Sequence, residues 1–254
     1  MPIPVGEDWW RRFFESSDSL ELSYFPDHRE TAREVAGLRT LLGLSPDDLI
    51  ADVCCGYGRH LIPLVNQGFR VIGLDASEMM IDDGRRLLRE AGLHAPLVRG
   101  DAAHLPYADG SFDVVMNLFN SFGYFIDEGQ NVRVLTEFAR VLKPGGRLFL
   151  DTRNREFQIL YAPYCQPVTT ADGQDLVMRC KYRRDKKRME SRWSLPHDPE
   201  AVVHEASIRL YGLDELKELL AAAGFEELGV YGTYQGDPFE GFRRQLLYVG
   251  RKPG

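Results

Sequence analysis

The sequence predicts an α/β fold, a parallel sheet covered by helices on both faces, with an antiparallel β insertion near its carboxyl end. Three observations predict it. Between residues 49 and 151, short apolar runs alternate with stretches of helical periodicity, and alternating strand and helix builds a parallel sheet between helix layers. The first run, Leu49-Ile-Ala-Asp-Val, meets a glycine turn, Cys54-Cys-Gly-Tyr-Gly, before a helical stretch. Such a turn presents bare backbone N–H groups at the carboxyl edge of a sheet. Between residues 178 and 195 the apolar period becomes two, as in strands with one buried and one wet face.

The elements follow in order. Trp9, Trp10, Phe13 and Phe14 share one helical face, Tyr24-Phe25-Pro26 breaks it, and residues 28–43 resume a helix through Val35, Leu38, Leu41 and Leu42. Residues 1–45 are expected to form a helical lid. Strands are expected at 49–54, 70–74, 95–100, 112–117 and 146–151, with helices at 59–67, 77–91 and 128–142. Ser77 suits the N-cap of the second of these helices. Lys143-Pro144-Gly145-Gly146 stops the third, since proline cannot continue a helix and glycine tolerates the turn. Within the 152–210 insertion, Met178, Cys180 and Tyr182 alternate with Arg179, Lys181 and Arg183. After a turn at 185–187, Met189, Ser191, Trp193 and Leu195 alternate with polar residues. These read as a hairpin, joined by a third strand at 202–210. A helix at 214–223, capped by Asp214 and ended by Gly224, and strands at about 226–234 and 244–251 complete the sheet domain, 46–151 with 211–254.

Composition narrows the classes. At 254 residues and 44% hydrophobic, the chain suits one large α/β domain with an insertion. A net charge of -7 argues against wholesale electrostatic binding of nucleic acid. Cys54 and Cys55 are adjacent, and Cys165 and Cys180 are distant, without metal-ligand spacing. Neither a disulfide framework nor a metal site is expected, and a reducing cytoplasm is the default. Glu7 and Asp8 precede any apolar cluster, unlike a secretory leader, and no apolar run approaches the roughly 18 residues that span a bilayer. A soluble cytoplasmic protein is expected, with its oligomeric state left open.

The strand ends carry the chemistry. The glycine turn has Gly56 and Gly58 but lacks the third glycine of a dinucleotide fingerprint, since Arg59, His60 and Leu61 follow. Asp52 lies in the first strand, Asp75 closes the second 17 residues after Gly58, and Asp101 follows the third. Asp75 is placed to accept from ribose hydroxyls and Asp101 from an adenine amine. Acids at three successive strand ends point to S-adenosylmethionine rather than to a dinucleotide.

At these segments the chain resembles the class I S-adenosylmethionine-dependent methyltransferases. The segments are Asp52-Val-Cys-Cys-Gly-Tyr-Gly-Arg, Val71-Ile-Gly-Leu-Asp-Ala-Ser, Gly100-Asp-Ala-Ala-His-Leu-Pro-Tyr, Ser111-Phe-Asp-Val-Val and Arg140-Val-Leu-Lys-Pro-Gly-Gly-Arg. Small bacterial members with Cys-Gly-x-Gly-Arg-His and a later Ser-Phe-Gly-Tyr-Phe are similar. Cys54 stands where many members have glycine. The resemblance implies a Rossmann-like seven-stranded sheet whose last strand is antiparallel. It implies that Asp52, Cys55, Gly56 and Gly58 shape the methionine site and that Asp75 and Ala76 flank the ribose. Met80, or Met79, would pack on the adenine, Asp101 and Ala102 would flank it, and Asn117 would sit beside the methyl donor. Tyr24 joins this cofactor set.

Candidates for the catalytic group are Asn117, Tyr124 and His204, with Tyr24, His104, Asn120 and Tyr211 behind them. Methyl transfer needs a general base only when the acceptor must lose a proton early. The Asn-Pro-Pro-Tyr sequence of the family's nucleic-acid amino methylases does not follow Asn117, so an adenine-N6 methylase is disfavoured. Arg209 is placed either to meet an acidic substrate or to form a strand-edge salt bridge. The expected function is transfer of a methyl group to nitrogen or oxygen of a small molecule. Two alternatives remain. One is an RNA methyltransferase gripping its substrate with the basic hairpin 179–192, which has eight Lys or Arg against two acids. The other is a non-catalytic S-adenosylmethionine-binding protein.

Overall fold

A computed structural model describes residues 6, 8–15, 28–170 and 173–254. Two helices, α1 (Trp9–Phe14) and α2 (His28–Leu42), precede the main sheet. The alternating region then contributes β1 (Leu49–Val53), α3 (Leu61–Asn66), β2 (Arg70–Asp75), α4 (Glu78–Glu90), β3 (Leu97–Arg99), β4 (Phe112–Asn117), α5 (Glu128–Val141) and β5 (Leu142–Arg153). Next come α6 (Arg155–Tyr161), β6 (Tyr164–Thr169), β7 (Asp175–Arg183), β8 (Arg188–Leu195) and β9 (Asp198–Arg209). The chain ends with α7 (Leu213–Ala222), β10 (Glu226–Tyr231) and β11 (Gln245–Arg251).

Seven strands form the main sheet in the order β10-β11-β5-β4-β1-β2-β3. β1 pairs in parallel with both β2 and β4, so strand order reverses there and the carboxyl ends of β1 and β4 border a crevice. β11 runs antiparallel to β5 and β10, as the family resemblance implies. Consecutive residues face opposite layers. Val114 packs with Val35, Leu38, Leu61 and Ile81, and Val115 with Leu135, Phe138, Leu216 and Leu220. That division explains the near-continuous apolar strands seen in the sequence.

The insertion is a second, four-stranded antiparallel sheet, β6-β7-β8-β9. Met178, Cys180, Met189, Trp193 and Ala206 form its buried face and pack with Trp9, Trp10 and Phe13 of α1. The predicted hairpin forms, with Met178, Cys180, Met189, Ser191 and Trp193 on its buried face. The strand β6 and helix α6 are additions to the prediction.

Several boundaries differ for physical reasons. The helix α5 stops at Val141, before Lys143-Pro144, but β5 begins at once. Its pairing jumps from Phe112↔Leu142 to Val114↔Arg147, so Lys143-Pro-Gly-Gly forms a bulge within the strand rather than a turn before it. The N-cap of α7 is Gly212, not Asp214; Asp214 and Glu215 lie in the first turn, where they complement the helix dipole. Ser77 caps α4 as predicted, accepting the Met80 N–H at 3.2 Å.

Candidate functional site

The loop after β1 owes its shape to backbone sign. Cys54, Gly56 and Gly58 all have positive φ, at 62°, 56° and 87°. Glycine adopts this region freely and other residues at a cost, which accounts physically for glycine at the Cys54 position in related chains. The Gly58 N–H closes the turn on the Cys55 carbonyl at 3.0 Å, and the Gly58 carbonyl accepts the Ile62 N–H at 2.9 Å as α3 begins. Asp75 pins the turn from β2. Its carboxylate accepts the Gly56 N–H at 2.8 Å and the Ser77 N–H at 2.9 Å. Burial pushes the Asp75 carboxyl up, and the Ser77 and Gly56 N–H bonds act against that rise. Past β3, the Asp101 carboxylate accepts the Ala103 N–H at 2.9 Å and lies 3.7 Å from the Arg11 guanidinium of α1.

Beside the turn sit two buried charged atoms without a hydrogen-bond partner, Oδ2 of Asp52 and Nη2 of Arg59. The rest of Arg59 is anchored. Its Nη1 donates to Glu34 at 2.6 Å and to Thr31 at 3.0 Å, and its guanidinium lies 4.8 Å from the Phe119 ring centre. His60 Nε2 lies 2.8 Å from the same Glu34 oxygen. Burial pushes Glu34 up, but contacts with His60 and Arg59 outweigh it and hold the carboxyl below its usual value. Burial likewise keeps His60 below its ordinary value. For Asp52, burial first and the Asp75 charge second push the carboxyl up to about 7, with Arg59 pulling the other way.

The fourth side is formed after β4, where Phe119 and Asn120 have φ of 54° and 61°. Buried Asp151 of β5 holds this loop, accepting the Phe119 N–H at 3.0 Å and the Tyr234 hydroxyl at 2.8 Å. Burial pushes Asp151 up to about 6, against the lowering effect of those two donors. Above the loop, α1 joins the two sheets. Trp9 Nε1 donates to the Tyr124 carbonyl at 3.1 Å, and the Ser77 hydroxyl donates to the Phe14 carbonyl at 2.7 Å. The Phe13 ring packs 5.3 Å from Trp193, and the Phe14 ring stacks 5.9 Å from Tyr124. Beneath these rings lies a cavity of about 480 Å³.

Asp52, Cys55, Gly56, Asp75, Ala76, Met80, Asp101 and Ala102 line that cavity. A Cβ at Gly56 would meet nothing nearer than Met80 Sδ at 3.8 Å, so the turn faces open space. Gly58 shapes the turn without lining the cavity, and Tyr24 lies outside the described residues. Of the catalytic candidates, Tyr124 lines the cavity, but Asn117 and His204 do not. Asn117 ties β4 to β1 by donating to the Val53 carbonyl at 3.0 Å. His204 packs edge-on against Phe13 at 5.6 Å. His104 sits exposed on a turn with Asp101. Tyr211 is buried against Phe122 and donates to Glu128 at 2.9 Å. Asn120 lines the cavity while its side-chain oxygen accepts the Arg153 N–H at 3.0 Å. Arg209 takes the salt-bridge option, with Glu215 and Glu128.

Among the described residues, four of the eight basic side chains of the hairpin meet carboxylates. Arg183 and Lys186 pair with Glu190, Lys187 with Glu215 and Arg192 with Glu205. Arg188 is buried, donating to the Phe125 and Tyr124 carbonyls at 2.8 and 3.1 Å. Among the described residues, no helix is long and apolar enough to cross a membrane.

Residues 50–146 match the sequence model of a methyltransferase-domain family. The cypemycin N-terminal methyltransferase of a Streptomyces species is 30% identical over 205 residues, which cover 79% of this chain and 81% of that one. The demethylmenaquinone methyltransferase of Corynebacterium kroppenstedtii is 31% identical over 193 residues, covering 75% and 73%. CalS10 of Micromonospora echinaspora is an amino pentose methyltransferase whose structure was solved with S-adenosylmethionine bound. It superposes with a TM-score of 0.64 at 23% identity, over 99% of this chain and 98% of its own.

Proposed function

We propose, for a chain that belongs to the class I S-adenosylmethionine-dependent methyltransferases, that its acceptor is a small molecule methylated at nitrogen or oxygen. One observation carries this reading. A continuous cavity is lined at one end by strand-end acids Asp52, Asp75 and Asp101, and at the other by Met178, Trp193 and Ile208 of the second sheet. An acceptor that reaches the donor must fit beneath that sheet and the aromatic face of α1, which favours a compact molecule over a duplex or a folded protein surface. Pairing of half the hairpin's cations with acids, and burial of Arg188, weaken the support for the RNA alternative.

The residues fit the cofactor. S-adenosylmethionine, when bound, supplies a methyl group on a sulfonium that is open to in-line displacement with a neutral leaving group. Its amino-acid end is a zwitterion, and the cavity offers a buried carboxylate oxygen on Asp52 and a buried guanidinium nitrogen on Arg59, each without a partner. On this reading Arg59 holds the carboxylate and Asp52 the ammonium. Asp75 keeps lone pairs for ribose hydroxyls after accepting its two backbone N–H groups. Met80, Ala76, Asp101 and Ala102 enclose the adenine, while Cys55 and Gly56 form the wall beside the methionine and Gly58 shapes the turn behind it. Asn117 acts here as the tie that holds β4 against β1. Aromatic rings from α1 and the second sheet exclude water, and positioning does most of the catalytic work. In this assignment α1 is the lid, and Tyr124 is the one of the three leading catalytic candidates with access to an acceptor.

Methyl-labelled S-adenosylmethionine, incubated with the protein and either dialysable bacterial metabolites or total RNA, tests the reading. Label in the dialysable fraction supports it. Label in RNA alone contradicts it.

A further inference from the structure

We infer that the acceptor carries an anionic oxygen group, a carboxylate or a phosphate, held by Arg153 and Arg244 at the mouth of the cavity. This inference rests on the reading above that the cavity receives the acceptor. Three arginines line the cavity, Arg59, Arg153 and Arg244. Arg59 is bonded to Glu34 through Nη1, and its free Nη2 is assigned above to the cofactor. By contrast, the guanidinium groups of Arg153 and Arg244 make no hydrogen bond or ion pair with any described residue. Arg153 is half-buried and Arg244 exposed, as suits a mouth. They lie close enough for the charge of Arg153 to bear on Arg244, and Tyr164, Glu30 and Asp151 act on it in the opposite sense without pairing with it.

The backbone beneath them is a built support. Arg153 ends β5 and faces Gln245 across the β5–β11 ladder. Buried Asn120 accepts the Arg153 N–H at 3.0 Å. Asn154 is fully buried, and its side-chain amide donates to the carbonyls of Gly241 and Arg243 at 2.8 Å each. Its N–H donates to the Arg244 carbonyl at 3.0 Å. Two buried asparagines therefore fix the backbone that carries two neighbouring positive charges unpaired with any described residue, in a chain whose net charge is -7. Repulsion between the two is unfavourable until an anion lies between them, and guanidinium forks match carboxylate and phosphate oxygens. Phe157, Tyr161 and Tyr164 line the same end, so the group is expected on an aromatic or apolar body.

Calorimetric titration of the full chain, saturated with S-adenosylhomocysteine, would compare 2-naphthoate with its neutral counterpart 2-naphthamide. The expected result is binding of 2-naphthoate about tenfold or more tighter than 2-naphthamide. In Arg153→Gln/Arg244→Gln that preference disappears, while affinities for 2-naphthamide and S-adenosylhomocysteine are unchanged and report an intact fold. Absent binding of 2-naphthoate, equal binding of the two probes, or a preference that survives the double substitution would overturn the inference. A wild type that ignores S-adenosylhomocysteine contradicts the cofactor reading instead, and the two probes titrated without it still decide the anion claim.

Discussion

Replacing Asp52 by Asn is expected to strengthen the fold at alkaline pH while weakening cofactor binding. The Asp52 side chain is buried, and its Oδ2 has no partner. Burial and the Asp75 charge move its carboxyl from 3.8 up to about 7. A carboxyl raised in the folded state binds its proton more tightly there than in the unfolded chain. The stability it withholds therefore grows as pH rises from about 4 and is complete above about 7. A tenfold change in proton affinity is worth about 1.4 kcal/mol, so the full effect is ~4 kcal/mol, against a typical total of about 5–15 kcal/mol. Part of it is already present near pH 5. Asp52→Asn should therefore gain ~2–3 kcal/mol on the wild type between about pH 5 and about pH 8. Urea unfolding of both proteins at the two pH values measures this, and any constant cost of the amide cancels in the comparison. A difference between the proteins that does not change with pH would refute the reasoning. Binding should move the other way, with S-adenosylmethionine affinity falling about tenfold to a hundredfold on loss of one charged contact.

Arg59→Gln should weaken S-adenosylmethionine by a similar factor but leave 5′-methylthioadenosine, which lacks the amino-acid end, bound as before. Equal loss of both ligands in parallel titrations would show that Arg59 supports the turn rather than the carboxylate. Gly37→Ala, in the middle of α2, should destabilise the protein by about 2 kcal/mol or more despite alanine's better helix propensity. The reason is that a Cβ there collides with the Tyr234 carbonyl; thermal unfolding with an unchanged or higher midpoint would contradict it.

The main sheet was legible because β1, β4 and β5 are buried on both faces and therefore read as apolar runs. The second sheet was legible where one face stays wet, as along Met178 to Tyr182. The strand β6 alternates in burial, but polar Gln166 lies on its inner face and Cys165 and Pro167 on its outer one, so its residue types carry no clean alternation. The cofactor edge could be read because Asp75 and the glycine turn lie on adjacent βα units whose spacing is local. Arg59 was hidden because its partners, Thr31 and Glu34, come from α2. Arg153 and Arg244 were hidden because only the antiparallel insertion of β11 beside β5 brings them together. The sequence placed His204 on a strand of the insertion as a catalytic candidate, but it could not show that Phe13 packs against the imidazole. Similarly, Asn117 was placed at the correct strand end, where its side chain turns toward β1.

The central claim is that S-adenosylmethionine binds at the carboxyl edge of β1, β2 and β3, with Asp75 at its centre. Calorimetric titration of the wild type and of Asp75→Ala with S-adenosylmethionine tests it most directly. Saturable binding at one site per chain in the wild type, weakened about a hundredfold or more in the variant, is predicted, since the substitution removes an acceptor from the ligand, from the Gly56 N–H of the turn and from the Ser77 N–H at the start of α4. Binding of equal strength to both proteins, or none to the wild type, would contradict it.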